Sequence, residues 1–200
     1  MKDGTSPRTE EPYPSYLSPK LTIRLCNDGR GAGVFAAEPI EKGELLAVWG
    51  GRIIDRASVA ELAPAERRYV LQVGDNRYLA SLDHVDPPDY INHCCRPNGG
   101  LRGEDQLVAM RKIAVGEEIS FDYATTDSCP LLEFACECPK RSCRRRVSFD
   151  DWKRADVRAR NRGYFSPYLQ RRIDASKPVA RGGVATDGAG AGAAFRQSDR

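Results

Sequence analysis

The segment Cys136-Glu137-Cys138-Pro139-Lys140-Arg141-Ser142-Cys143 puts three thiols in a C-x-C-x4-C spacing beside Pro, Lys and Arg. Thiolates this close in one loop suit tetrahedral Zn2+, with Zn–S bonds of about 2.3 Å, and the neighbouring cations favour deprotonated sulfur. A closed structural site needs a fourth ligand. Candidates are Cys129 close by, or Cys94 or Cys95 about forty residues upstream. The total of seven cysteines is odd and sparse, which fits a reducing compartment and a metal site better than a disulfide framework.

Three further clusters carry reactive or ligand-facing residue types. Tyr90-Ile91-Asn92-His93-Cys94-Cys95-Arg96-Pro97-Asn98 gathers amide, imidazole and thiol groups ahead of a Pro-Asn turn. Gly116-Glu117-Glu118-Ile119-Ser120-Phe121-Asp122-Tyr123 reads as a turn entering a strand that ends on an aromatic pair. Gly29-Arg30-Gly31-Ala32-Gly33-Val34-Phe35-Ala36 brings backbone N–H groups close to a ligand. No helix follows to hold a pyrophosphate, so neither a dinucleotide fold nor a P-loop fits.

The elements that must position these clusters are mostly strands. Runs rich in β-branched and aromatic residues predict them at Leu21–Leu25, Val34–Ala37, Leu45–Trp49, Arg68–Val73, Tyr78–Ala80, Leu107–Ile113 and Glu118–Tyr123, with Gly74-Asp75-Asn76 as a turn. Helices are expected to be few: a brief one at Ser58–Leu62 that Pro64 cuts short, one from an Asp150 N-cap through about Arg160 with Gly163 as its stop, and one after Ser166-Pro167. The fold class is therefore mainly β with short helices. Residues 1–18 are Pro- and charge-rich and 176–200 are Gly/Ala-rich, so both are expected to be disordered tails, because neither can bury enough apolar surface to offset ordering entropy.

Charge divides the chain. Residues 19–143 hold 15 Lys/Arg against 19 Asp/Glu, or −4, whereas residues 144–172 hold 10 against 3, or +7. The basic segment is either a solvated helical face or a weak nucleic-acid contact. No run approaches the ~18–20 apolar residues of a membrane span and no apolar signal core follows Met1, so the expected location is cytoplasmic, with no membrane partner.

Taken in order, the glycine loop, Trp49-Gly50-Gly51, Asn-His-Cys-Cys-x-Pro-Asn, Gly-Glu-Glu-Ile-Ser-Phe-Asp-Tyr and the cysteine triplet resemble the SET-domain protein lysine methyltransferases with a post-SET zinc motif. The continuation through Asp150-Asp151-Trp152 to Phe165-Ser166-Pro167-Tyr168 resembles the short stand-alone bacterial members. The resemblance implies a SET domain over 19–124 with small curved sheets and a pseudoknot-like core, a post-SET zinc segment over 125–145, and a basic helical extension over 146–175. It implies that Arg30, Gly31, Ala32 and Gly33, with Asn92 and His93, lie against S-adenosylmethionine, that Tyr123 stands where cofactor and substrate lysine meet, and that Phe121 and Trp49 line the lysine channel. It also selects Cys95 to join Cys136, Cys138 and Cys143 around one structural Zn2+, leaving Cys94 where serine is usual. Trp49 replaces the tyrosine of a Tyr-x-Gly motif, and Asp89 stands where arginine often precedes the Asn-His run.

Those residue types suit the implied reaction. Methyl transfer needs a neutral amine, yet with a pKa near 10.4 only about one lysine in a thousand is neutral at pH 7. A narrow apolar channel and a nearby sulfonium both disfavour the ammonium, and positioning then carries most of the catalysis. The acidic body favours a lysine in a basic context, as in a histone-like, nucleoid or ribosomal protein. Two other functions use the same residues differently: an interaction module that has lost catalysis, and a zinc protein that contacts phosphates through Arg141, Arg144, Arg145 and Arg146.

Overall fold

A computed structural model describes residues 12–26, 31–82 and 84–176. Arg30 and the tail segments 1–11 and 177–200 lie outside the described residues. The strands run Tyr16–Leu17 (β1), Leu21–Leu25 (β2), Ala32–Ala36 (β3), Leu45–Val48 (β4), Arg52–Ile54 (β5), Val70–Gly74 (β6), Arg77–Ala80 (β7), Asn92–His93 (β8), Gly99–Arg102 (β9), Gln106–Ala109 (β10), Glu118–Phe121 (β11), Phe134–Ala135 (β12) and Arg146–Val147 (β13). The helices are Arg56–Glu61 (α1), Ala155–Arg160 (α2) and Pro167–Ala175 (α3).

Alternating apolar residues sort these short strands into small sheets ordered β1-β4-β10-β9, β2-β3-β11-β8 and β5-β7-β6, with β12-β13 as a separate pair. One core joins the first three. Val34, Ile40, Leu46, Leu107, Ile113 and Ile119 are all at most 1% exposed and belong to a single apolar cluster that also holds Trp49 and Phe121.

Pairing between β8 and β11 does most to place the site. It is parallel, with Asn92 opposite Ser120 and His93 opposite Phe121. The Pro97-Asn98 turn locks it: Asn98 Nδ2 donates to the Glu118 carbonyl at 2.9 Å, and Asn98 Oδ1 accepts from the Ser120 amide at 3.0 Å. Two segments separated by more than twenty residues are thereby held side by side, each satisfying buried polar groups of the other.

Several local expectations need correction. Residues 12–18 are ordered: Tyr13 forms a bridge with Gly51, and β1 pairs with β4. The glycines permit it, since a Cβ on Gly50 would lie 2.3 Å from the Tyr13 carbonyl oxygen. The helix expected from Asp150 is broken into a 3-10 turn, Asp151–Lys153, and α2, because Arg154 between them is extended. That break lets Trp152 join Val157, Phe165, Tyr168, Leu169 and Ile173 in a second apolar cluster. Asp150 makes no capping bond and instead accepts from the Ser148 hydroxyl. Pro167 does open α3, but the Ser166 hydroxyl caps nothing and is a buried oxygen without a partner.

Candidate functional site

The glycine segment meets Asn92. The Asn92 side-chain amide donates to the Ala32 carbonyl at 3.1 Å and to Glu118 Oε1 at 2.9 Å. Glycine at Gly33 permits this approach, because a Cβ there would stand 3.0 Å from Asn92 Nδ2 and 2.9 Å from Cys26 Sγ and would push those side chains aside. Gly31 turns the chain with φ +87°.

His93 connects two parts of the site. Its Nδ1 accepts from the Tyr123 amide at 3.1 Å, and its Nε2 lies 3.3 Å from Cys95 Sγ. With Nδ1 accepting, the proton sits on Nε2 and points at sulfur. Burial, with the Arg144 cation, takes the imidazole down to about 4 against the opposing pull of Asp122, so the ring is neutral around pH 7. Its side chain is thus committed to architecture.

An aromatic row crosses the centre. Trp49 and Phe121 ring centroids are 5.1 Å apart, Phe121 and Tyr123 4.6 Å, and Tyr123 and Phe134 5.5 Å. The Tyr123 hydroxyl donates to the Ile91 carbonyl at 2.9 Å. Burial, then the carboxyl groups of Asp127, Asp89 and Glu118, holds that phenol firmly protonated. On one side of Tyr123 lies a cavity of about 400 Å3 walled by Asn92, His93, Phe134 and the 135–138 loop. On the other lies a slit of about 20 Å3 between Trp49, Phe121, Ile91, Asp89 and the turn at Tyr69. Arg68, Val70, Tyr123 and Asp127 belong to both walls.

Cys95, Cys136, Cys138 and Cys143 bring their four sulfurs within 4.8 Å of one another. Two of the separations are 3.8 Å (Cys95 to Cys136) and 3.6 Å (Cys143 to Cys136). Tetrahedral Zn–S bonds near 2.3 Å require sulfurs about 3.8 Å apart, so this set fits a zinc ion. The main chain prepares it. The amides of Arg144 and Arg145 donate to Cys95 Sγ at 3.3 Å and Cys143 Sγ at 3.4 Å, and Arg145 takes φ +63° to aim its amide. Burial raises the Cys95 and Cys136 thiols, whereas main-chain and thiol hydrogen bonds outweigh burial at Cys138 and lower it. Of the sequence candidates, Cys129 packs elsewhere, with Val59 and Tyr78, and Cys94 turns its thiol to the Arg96 carbonyl.

Arg144 anchors the loop. Its guanidinium meets Asp122 at 2.7 and 2.6 Å, and its Nε lies 2.7 Å from Asp151 without hydrogen-bond alignment. Asn161 also reaches Asp122, and Arg160 donates to the Cys95 carbonyl at 2.9 Å. Further arginines of 144–172 pair with carboxylates at exposed positions: Arg146 with Glu133, Arg154 with Asp156, and Arg172 with Asp75.

Sequence reasoning missed Asp127, Phe134 and the Arg144 carboxylate pair. Asp127 lies in a buried polar seam where the Thr126 hydroxyl donates to the Gln72 carbonyl and the Ser128 amide donates to Gln72 Oε1 at 2.8 Å. The only signal for it was a polar run, Thr125-Thr126-Asp127-Ser128, directly after Tyr123. Of the residues expected at the site, all but Arg30 are described. Those residues fall into three adjoining groups: Gly31 to Gly33 with Asn92, Trp49 and Phe121 with Tyr123, and the four cysteines joined to Tyr123 through His93. Among the described residues, no helix is long and apolar enough to cross a membrane.

The SET domain matches residues 31–124. The chain is 27% identical over 127 residues to "Histone-lysine N-methyltransferase, H3 lysine-36 specific" of Candida albicans, covering 57% of this chain and 15% of that protein. It is 28% identical over 128 residues to "Histone-lysine N-methyltransferase, H3 lysine-4 specific" of Yarrowia lipolytica, covering 56% and 11%. To "Probable histone-lysine N-methyltransferase set-23" of Caenorhabditis briggsae it is 28% identical over 152 residues, covering 64% and 61%. The chain thus spans less than two thirds of each of these relatives.

Proposed function

Residues 31–124 form a SET domain, and from that premise we propose that the protein transfers a methyl group from S-adenosylmethionine to the side-chain amine of a lysine in a protein substrate. One observation carries the reading: Tyr123 stands in the wall between a cavity of about 400 Å3 and the Trp49–Phe121 slit. A cavity of this size lies within the range of small-molecule sites, about 300–1,000 Å3.

Gly31, Ala32 and Gly33, with Asn92 and with Arg30 of the same loop, would hold the amino-acid end of the cofactor. The His93 main chain and the Phe134 ring would hold its adenine. When bound, the cofactor supplies an electrophilic methyl group on a sulfonium. Trp49 and Phe121 would sheath the lysine methylenes, and the narrow slit must spread to admit them. Tyr123 would orient the amine toward the methyl group through its hydroxyl, whose protonated state suits donation to, or acceptance from, polar partners rather than ionisation. Zn2+ at Cys95, Cys136, Cys138 and Cys143 would supply a closed cross-link, since four thiolates leave no position for water.

Relatives named for H3 lysine-36 and for H3 lysine-4 match at nearly equal identity, so the likeness bears on the chemistry rather than the target. The excess of carboxylates over residues 19–143 supports a target lysine flanked by Lys or Arg. Calorimetry with S-adenosylmethionine, followed by mass spectrometry of basic and acidic lysine peptides, tests the proposal. Binding with methylation of basic peptides is expected; no binding to folded, zinc-loaded protein defeats it.

A further inference from the structure

Asp127 is the buried group that the reaction as derived above leaves without a task. Its Oδ1 is enclosed and has no hydrogen-bond partner, which is a costly state for a carboxyl group unless something is meant to meet it. Its amide donates to the Tyr123 carbonyl at 2.8 Å, so backbone geometry fixes it relative to Tyr123. It is also one of the residues shared by the cavity and slit walls, where donor and acceptor would face each other.

We infer that Asp127 is the proton acceptor for the substrate lysine, receiving the ammonium through Oδ1 and taking a proton from it before methyl transfer. This inference rests on the methyltransferase reading above. The balance is complete within the site. An N–H bond of the ammonium breaks and an O–H bond forms on Asp127. The freed nitrogen pair forms the N–CH3 bond as the S–CH3 bond breaks and its electrons stay on sulfur. The positive charge ends on the methylated nitrogen, and the Asp127 proton passes to solvent as product leaves.

The surroundings set the proton's preference. Burial pushes the Asp127 carboxyl up to about 8, with a hydrogen bond from the Gln72 main chain opposing more weakly. A carboxyl with an affinity this near neutrality both takes and returns a proton at working pH. Around it, Arg68 comes from the turn before β6, Asp89 from the turn before β8, and Glu133 and Glu137 from the cysteine segment. His93 and Tyr123 complete the same walls, and the Tyr168 phenol of α3 also senses Asp127. Burial raises Asp89 as well, to about 6, while Glu133 is held near 2 by Ser148 and Arg146, so the carboxyl groups around the site are tuned apart. An arriving ammonium and sulfonium both favour ionised Asp127, which is the form that accepts.

The test uses Asp127→Asn, which keeps the volume and removes the acceptor, with thermal stability and S-adenosylmethionine affinity as controls. On a peptide that the wild type methylates, kcat at pH 7 should fall about 100-fold or more. The deficit should shrink steadily toward pH 10, where lysine loses its proton to water. A purely structural role would lower activity by the same factor at every pH, and that result, or unchanged activity, overturns the inference. Binding of n-butylammonium chloride at pH 9 provides a readout independent of turnover. It should be at least about tenfold tighter in wild type than in Asp127→Asn, and equal affinities overturn the inference. A wild type that methylates no peptide defeats the proposed function instead, while the n-butylammonium comparison still decides the role of Asp127.

Discussion

The cysteine side of the site and the channel side are built on opposite terms. Around the four sulfurs most polar groups are answered: backbone amides meet thiols, His93 meets Cys95, and Arg144 meets Asp122, although its Nε lies 2.7 Å from Asp151 without a hydrogen bond. Around Tyr123, a few ångströms away, the rings are loosely tilted, a slit remains open and Asp127 keeps an unanswered oxygen. Saturated networks fix geometry, whereas an unanswered buried group in a cavity wall leaves room for a ligand's chemistry.

The comparison predicts where substitutions hurt stability and where they hurt activity. The largest effect should come from Cys95→Ala. Metal analysis is expected to fall from about one zinc per chain to well below one, with the melting temperature lowered by about 10 °C or more. Full zinc retention would show that the sulfur cluster is not the metal site.

Arg144→Met comes next. It strands Asp122 in the interior without its cation, a loss of about 3–5 kcal/mol by denaturant unfolding. Adding Asp122→Asn should return much of it, because the uncompensated charge is then gone. If the double substitution is as unstable as the single one, packing rather than charge pairing holds this side together.

Tyr123→Phe moves to the other side and should change stability little. The ring and its contacts stay, only the hydroxyl bond to Ile91 goes, and turnover should drop about 10²-fold with cofactor affinity nearly constant. Retained turnover would remove Tyr123 from the reaction.

A subtler effect concerns Asp127 and pH. Its folded value is raised, so its contribution to stability is full below the unfolded value near 4 and is lost as pH rises through about 8. Asparagine cannot ionise. Asp127→Asn should therefore gain stability relative to wild type as pH climbs from 4 to 8, by up to about 5 kcal/mol in paired melts. Parallel curves for the two proteins would mean that Asp127 is not buried as described.

Phe121→Tyr is the smallest change, adding one oxygen beside Tyr123. It should shift mass-spectrometric products from di- or trimethyl-lysine toward monomethyl-lysine, because a hydroxyl there can hold a water that hinders a methylated amine from turning into line. Trp49 sharpens the test: if its indole already narrows the slit, the wild type stops at one methyl group and the substitution changes nothing.

What could be read from the sequence follows the same division. Strand Leu21–Leu25 was fully legible, and β7 nearly so, because β-branched and aromatic runs between turns are local signals. The two-residue strands β8, β12 and β13 were not, since they exist only through partners distant in the chain. Motif order pointed to Trp49, Phe121, Tyr123 and the cysteines, but not to Phe134 at the end of the aromatic row. Asp127 and the Arg144 pair stayed invisible, because burial without a partner and pairing across more than twenty residues leave no trace in spacing. The helix expected at Asp150 failed for a tertiary reason: Trp152 had to reach the second core, and the break at Arg154 takes it there.

The reach of Asp122 toward Arg144 and Asn161, with Arg144 also lying against Asp151, bears on how the protein is born. Synthesis runs from the amino terminus, so a nascent chain that has emerged through residue 124 already contains every strand of the three larger sheets yet exposes a carboxylate whose counter-ions have not been made. The Asn92–Tyr123 surface can settle only after α2 and α3 arrive, with Tyr164 pressed onto the Gly100 backbone where any Cβ would stand 2.4 Å from its ring. A nascent chain halted between residues 125 and 143 would thus hold the strands of the three larger sheets while Asp122 still lacks Arg144 and Asn161, and the proposed methyl transfer should begin only once those residues have emerged.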